Sequence, residues 1–213
     1  MDAVPENELS FRLLGPVDRA QAAAIADKAF AGNSFYEDAL GFDAEAFSSY
    51  WDAFLALALA DPSARVFGAE TGGDLGAVLV IAYHGFPKPL RGLRFFLALL
   101  SGIGARRSLH YLRFVATYGR AMRRPKPDEA REARGLWLMS RPVASHPRIG
   151  SALVRFAIAR SAEDGKTLNT GFVDAGNRPL LAFYRRSGFR IGPRFIFSSR
   201  WAATVARDGE ESE

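Results

Sequence analysis

The spacing of hydrophobic residues predicts three elements in the first 60 residues. Leu9, Phe11 and Leu13 alternate with polar residues, and this period of two is typical of a strand with one buried face. An alanine-rich helix is predicted over residues 18–30, and a second helix over residues 43–60. Each is predicted to begin at an aspartate, because a side-chain oxygen there can accept a hydrogen bond from an N–H group of the first turn.

The rest of the chain continues as apolar segments separated by glycine, proline and polar residues. In chain order, this pattern predicts strands at residues 65–70 and 75–83, a mostly helical segment at 85–127 and a strand at 136–143. It then predicts a helix at 149–163, a strand at 168–173, a short helix after Asn177 and a last strand at 189–201. This order predicts an α/β fold, in which a mixed central sheet carries helices on both faces. We expect one domain over residues 1–205 and a disordered acidic tail at 206–213.

Composition excludes several classes of protein. The 213 residues suffice for a sizeable core, and none of them is cysteine, which excludes disulfides, thiolate metal sites and a cysteine nucleophile. The three histidines lack the spacing of metal ligands, so no metal is expected. The N-terminus lacks a secretion signal, and no apolar run approaches the ~20 residues needed to span a bilayer. We therefore predict a cytoplasmic protein.

Positive charge is concentrated in the helical segment at residues 85–127, which we call the basic insert. No acidic residue lies between Asp74 and Asp128, whereas ten lysines and arginines do. Since the net charge is +5, the rest of the chain carries a net charge of −5. The insert therefore suggests a local anionic partner rather than a generally basic protein.

Three interpretations of the basic insert remain open. Its apolar stripes, which include Leu93, Leu97 and Leu109, could cover the core while the arginines face water. Alternatively, the apolar run 95–100 between arginines could lie on an anionic membrane surface as an amphipathic helix. Nucleic-acid binding is the weaker alternative, because the basic and aromatic residues form no RNA-binding motif.

The most specific motif lies at residues 177–189. Asn177 is suited to begin a short helix and Gly188 to end it. The spacing of Asn177, Tyr184 and the pair Gly188-Phe189 resembles the last helix and strand of the GNAT N-acetyltransferase superfamily. The predicted order of elements also matches the GNAT order, with a helical insertion before the fourth strand.

This resemblance implies an enzyme that uses acetyl-CoA, or another acyl-CoA, as cosubstrate. The acyl group would pass to an amine of a small molecule or peptide by direct attack in a ternary complex. Tyr184 matches the tyrosine that often protonates the departing thiolate in this superfamily. From the residues alone, the alternative is that Tyr184 is a core aromatic.

A strand followed by a turn and a helix N-terminus offers N–H groups and a favourable dipole to the phosphates of coenzyme A. The family carries a glycine-containing turn here, and Arg148 stands where its first glycine is expected, in a loop about three residues shorter than usual. An arginine could instead clamp a phosphate directly. The resemblance implies cofactor contacts by Ser140, Arg141, Val143, Arg148, Ile149, Gly150, Ser151, Ala152 and Asn177.

A general base is not identified by the sequence, because the strand at 136–143 carries no carboxylate. The loop that contains Phe35, Glu37 and Asp38 lies where the family shapes its acceptor site. His84 could act as the base, because an imidazole can gain or lose a proton near neutral pH, and Asp174 is a further candidate for this role. For each ionisable group the alternative is a solvated loop charge or a hydrogen-bonded histidine.

The sequence thus predicts an acyl-CoA-dependent N-acyltransferase. The alternative is a GNAT-fold protein without turnover that uses the basic insert to bind an anionic partner, either a membrane surface or nucleic acid. The altered turn at Arg148 favours this alternative, and the match at Tyr184 opposes it.

Overall fold

The computed structural model describes residues 9–30, 36–37, 40–121, 133–141, 147–166, 171–197 and 200–206. These residues form seven strands and six α-helices. In chain order they are β1 (Leu9–Leu13), α1 (Arg19–Phe30), α2 (Ala44–Ala60), β2 (Ala64–Thr71), β3 (Asp74–Tyr83), α3 (Pro89–Ile103), α4 (Ala105–Ala121), β4 (Ala133–Ser140), α5 (Ile149–Glu163), β5 (Gly171–Asp174), α6 (Arg178–Arg186), β6 (Arg190–Phe197) and β7 (Arg200–Ala206).

The strands form two sheets that meet between β4 and β5. The first has the order β1-β2-β3-β4 and the second β5-β7-β6, and the pairs described within each are antiparallel. β4 and β5 approach each other, but no registered pairs join them among the described residues. The structure confirms the predicted α/β fold, with helices on both faces and a helical insertion before the fourth strand.

Strand β3 separates two hydrophobic cores. Its side chains alternate across the sheet, as in any pleated strand. Val78 and Val80 pack with α1 and α2, whereas Leu79 and Ile81 pack on the opposite face with α5. All four side chains are fully buried. The near-continuous hydrophobic run of β3 is thus explained by burial on both faces.

One of the two predicted aspartate caps is present. The N–H of Ala46 donates to Asp43 Oδ1 over 2.9 Å, so α2 begins where the sequence predicts. Asp18 instead lies in the short 3-10 turn Pro16–Asp18, and α1 begins at Arg19. Its carboxylate accepts two hydrogen bonds from Arg12, at 2.7 and 2.9 Å, and one from the N–H of Gly15. The side chain is therefore held by the preceding strand rather than by the helix.

The last predicted strand, at residues 189–201, is wrong in one respect. The structure has two strands, β6 and β7, that pair in antiparallel fashion. The polar residues Ser198 and Ser199 lie between them and outside the described residues. β7 reaches Ala206, one residue into the predicted tail, and residues 207–213 lie outside the described part of the chain.

The basic insert forms two helices, α3 and α4. They are joined at Gly104, which has φ +80°, a conformation that glycine adopts without steric cost. The interpretation in which the stripes with Leu93, Leu97 and Leu109 cover the core is wrong, because Leu93 and Leu97 are each 54% exposed and Leu109 is 52% exposed. A different stripe faces the core, in which Leu99 and Ile103 are buried and Phe95 packs beside them. Aromatic packing against α2 therefore sets the rotation of the insert.

Candidate functional site

A cavity of about 80 Å³ lies where β4 and β5 diverge. Two strands without registered pairs leave space between their side chains, and the start of α6 closes that space at one end. The lining residues are Leu136, Trp137 and Leu138 of β4, Val173 and Asp174 of β5, Asn177, Leu180 and Tyr184 at α6, Phe30 at the end of α1, and Tyr36. We call this space the junction cavity.

Tyr184 is buried in the junction cavity, with only 4% of its surface exposed. Burial disfavours the charged phenolate and raises the pKa of Tyr184 to about 12. The ring packs edge-on against Phe183 and Phe189, with centroids 5.3 and 5.4 Å away. Tyr184 therefore holds its proton at neutral pH in a fixed position, as a general acid requires.

The helix that carries Tyr184 begins as predicted. The N–H of Leu180 donates to Asn177 Oδ1 over 3.1 Å, so Asn177 caps α6. Gly188 follows the helix with φ +82°, the left-handed conformation expected of a glycine at this position. Asn177 also lines the junction cavity, where the cofactor contact predicted for it stays a prediction.

Asp174 is the one carboxylate among the described residues that line the junction cavity. It stands at the end of β5, and its Oδ1 accepts a hydrogen bond of 2.7 Å from the N–H of Gly176. A carboxylate held in this way can accept a proton, either directly or through a water molecule. The cavity thus combines a protonated phenol with a carboxylate.

The N-terminus of α5 lies against the end of β4. A Cβ atom on Gly150 would stand 3.2 Å from Ser140 Oγ, so glycine at this position permits the close approach. Arg148 precedes the helix with φ −110° and ψ 22°, a conformation that does not require glycine. The arginine found in place of the family's first glycine therefore fits this turn without backbone strain.

The start of α5 has the properties of an anion-binding site. The first N–H groups of a helix have no intrahelical acceptor, and its dipole is positive at this end. No acidic residue lies in the first turn of α5, and the exposed Arg148 stands at its start. Arg141 Nε, just beyond β4, is buried and has no hydrogen-bond partner within the described residues. An unpartnered guanidinium N–H is a donor that a phosphate group would satisfy.

The structure brings most of the predicted cofactor residues together. Ser140, Arg141, Arg148 and the residues 149–152 lie at the end of β4 and the start of α5. Within this group, the N–H of Ala152 already donates to the carbonyl of Arg148 over 3.0 Å. The N–H groups of residues 149–151 precede it, have no acceptor within the helix and are the candidate donors. Val143 lies outside the described residues.

The residues predicted for the acceptor site are only partly placed. Phe35 and Asp38 lie outside the described residues. Glu37 is exposed, next to the buried Tyr36. His84 is exposed after β3 and is not among the residues that line the junction cavity. Their proposed roles stay predictions.

A second, larger cavity adjoins the junction cavity and was not predicted. Its volume is about 290 Å³, and it lies between α2, the basic insert, the end of β3 and the middle of β4. We call it the aromatic cavity, because more than half of the residues that line it are aromatic. Tyr36 and Trp137 line both cavities. The only sequence signal was the density of aromatic residues in α2 and the insert, which a hydrophobic core would explain equally well.

Comparison with solved structures identifies the fold. The chain superimposes with a TM-score of 0.55 on an acetyltransferase of the GNAT family from Streptococcus pneumoniae, at 14% identity over 94% of this chain and 99% of that one. It has the GNAT fold. The ribosomal-protein-S18-alanine N-acetyltransferase of Escherichia coli gives a TM-score of 0.52 at 15% identity, over 97% of this chain and 99% of that one. The PaiA N-acetyltransferase of Thermoplasma acidophilum, solved with coenzyme A, gives a TM-score of 0.52 at 13% identity, over 92% of this chain and 98% of that one.

The GNAT resemblance of residues 177–189 is thus confirmed at the level of the fold. No model of a known protein family matches the chain, and no curated protein sequence matches it. Among the described residues, no helix is both long and apolar enough to cross a membrane. Nor do the described His, Asp and Glu side chains form a group of three or more that could hold a metal ion.

Proposed function

We propose that this GNAT-fold protein is an N-acyltransferase that transfers the acetyl group of acetyl-CoA to an amine. The observation that carries the proposal is the junction cavity, in which the buried, protonated Tyr184 and the carboxylate of Asp174 lie together. The neighbour solved with coenzyme A and the anion site at the start of α5 support acetyl-CoA as the donor.

Each residue of the site has a role in direct transfer. The N–H groups of residues 149–151, with Arg141 and Arg148, would hold the phosphates. Acetyl-CoA, when bound, supplies the activated thioester and the sulfur leaving group. Asp174 would take a proton from the amine, directly or through water, as the nitrogen attacks. Tyr184 would give its proton to the departing sulfur. The absence of cysteine from the chain agrees with attack by the amine itself.

Two measurements on the whole chain test this function. Isothermal titration calorimetry with acetyl-CoA, coenzyme A and ATP tests the donor site, and we expect binding of the first two at micromolar concentrations without binding of ATP. Release of free thiol from acetyl-CoA in the presence of an amine panel tests turnover. Binding without amine-dependent thiol release would contradict the proposed activity, and absence of binding would contradict the donor site as well.

A second candidate function rests on the outer face of the basic insert. Leu93 and Leu97 are exposed on α3, near Arg94 and in a segment without acidic residues. An apolar stripe flanked by cations is typical of a helix that lies on an anionic lipid surface. Such a role could accompany catalysis or replace it, and vesicle binding tests it independently of turnover.

A further inference from the structure

The aromatic cavity is built for an uncharged, apolar occupant. None of its described lining residues is Asp, Glu, His, Lys or Arg. Its polar atoms include the hydroxyls of Tyr36, Tyr50, Tyr111 and Tyr118, whose pKa values are all raised by burial. These phenols stay neutral at physiological pH, so no charged group offsets the desolvation of an ion inside the cavity.

The position of the cavity relates it to the acceptor rather than to the donor. Trp137 of β4 packs with the core on the side of α1 and α2, whereas its neighbour Leu136 packs with the core on the side of α5. The groups proposed to bind phosphate stand at the start of α5. A donor held at α5 and an acceptor held in the aromatic cavity would therefore approach the junction cavity from opposite faces of the sheet.

Two tyrosines connect the aromatic cavity to the proposed general acid. Tyr36 lines both cavities, and it lies close enough to Tyr184 that a negative charge on the Tyr184 phenol would raise the pKa of Tyr36. Tyr118, on α4 of the insert, lines the aromatic cavity, and a negative charge on Tyr184 would raise its pKa in the same way. A molecule that fills the aromatic cavity could therefore place an amino group in the junction cavity, next to Asp174 and Tyr184.

We propose that the aromatic cavity binds the apolar part of the amine acceptor, so that the substrates of this enzyme are lipophilic amines such as phenylalkylamines. This inference rests on the proposed N-acyltransferase function and names its substrate class. The volume is adequate, because an apolar protein cavity of roughly half this size holds benzene. The uncharged lining would reject diamines and other acceptors with a second charge.

The insert supplies much of the binding wall. Phe95 and Leu99 of α3, together with Tyr111 and Phe114 of α4, line the cavity across from Phe54 of α2. The core side includes a small residue, Ala82, at the end of β3. Val115 of α4 lines the cavity and is 42% exposed, so it stands at an opening to the surface.

Direct binding tests the inference without relying on turnover. Benzylamine, 2-phenylethylamine, 4-phenylbutylamine and, as polar control, 1,4-diaminobutane are titrated calorimetrically into the protein saturated with coenzyme A. We expect affinity to rise about fourfold per added methylene, the usual value for hydrophobic burial. The diamine should bind at least about tenfold more weakly than 4-phenylbutylamine. Equal affinity for all four amines would overturn the proposal.

Two variants locate the binding site, and a third serves as control. Val115→Trp narrows the opening and Ala82→Leu fills the interior; each should weaken 4-phenylbutylamine binding about tenfold or more, with coenzyme A affinity unchanged within about twofold. Ala116→Trp adds the same ring at an exposed position of α4 that does not line the cavity, and should change neither affinity. If Ala82→Leu does not fold, Val115→Trp still decides the question, because its side chain is partly exposed.

Three further outcomes separate this proposal from its alternatives. If the filling variants alter the preference between acetyl-CoA and octanoyl-CoA but leave amine binding unchanged, the cavity serves the donor and the proposal is overturned. If 4-phenylbutylamine binds as expected but no thiol is released, the proposed activity fails while the binding site stands. If thiol is released only with polar amines, the activity stands and the substrate class is wrong.

Discussion

Substitution of Tyr184 by phenylalanine tests the proposed chemistry most directly. The change removes only the hydroxyl, and the remaining ring keeps its edge contacts with Phe183 and Phe189. General acids contribute about 10²–10⁴-fold to a rate. Here the donor pKa is about 12, whereas an alkyl thiol such as that of cysteine has a pKa of about 8.5. Because the proton would pass from a weaker acid to the conjugate base of a stronger one, the transfer is uphill, and we expect the low end of the range.

The expected loss in kcat is therefore about 100-fold, or about 3 kcal/mol in the activation free energy. The KM for acetyl-CoA should change little, since the proposed phosphate contacts are at α5, away from Tyr184. The assay is steady-state thiol release with the best amine of the panel, at saturating acetyl-CoA. Tyr83→Phe is the matched control, because it removes a hydroxyl that lies 3.0 Å from Ser161 Oγ, outside both cavities. Equal kcat for wild type and Tyr184→Phe would refute the role as acid and leave Tyr184 a core aromatic.

Three other predictions follow from the structure. Arg141→Ala and Arg148→Ala should each weaken coenzyme A binding about tenfold in calorimetry, because each removes a charge-assisted hydrogen bond. Arg155→Ala is the control, since Arg155 lies on the exposed side of α5, and it should leave the affinity unchanged. Equal losses of affinity in all three variants would indicate a general effect of charge. Because the pKa of Tyr184 is raised from 10 to about 12, the folded state keeps this proton to a higher pH than the unfolded state does. The contribution of Tyr184 to stability should therefore be constant below pH about 10 and fall by about 3 kcal/mol between pH 10 and 12. Urea denaturation should show a smaller loss of stability over this range for Tyr184→Phe than for the wild type. Because leucines of α3 are exposed, the protein should co-sediment with anionic vesicles but not with neutral ones, and Leu93→Glu should abolish this binding. Equal recovery of the protein with both vesicle types would contradict membrane binding.

The local elements of this fold could be predicted because their signals lie close together in the chain. Asn177 caps α6 and Gly188 follows it, so the helix that carries Tyr184 was predicted with its ends. Asp43 likewise caps α2. Asp18 has the same residue type at a similar position, but Arg12 engages its carboxylate from the preceding strand. Capping was predicted correctly where no tertiary partner competed for the side chain.

The site itself depends on contacts that the sequence does not express. Nothing in the residues of β4 indicates that it parts from β5, and this divergence creates the junction cavity. On α3, both Leu93 with Leu97 and Leu99 with Ile103 are apolar, and the aromatic side chains of α2 determine that the second pair faces inward. Tyr36 lay within the predicted acceptor loop, but its place in both cavities follows from packing with Phe42 and Trp51.

The construction of the aromatic cavity has a consequence for how this protein could diversify. The groups proposed to do chemistry stand on β4, β5, α5 and α6, whereas one wall of the aromatic cavity comes from a single uninterrupted stretch, α3 and α4. Recombination or mutation confined to that hairpin could thus exchange one acceptor for another while the reaction centre is inherited unchanged. In the laboratory, the same hairpin is the natural segment to randomise when new amines are sought.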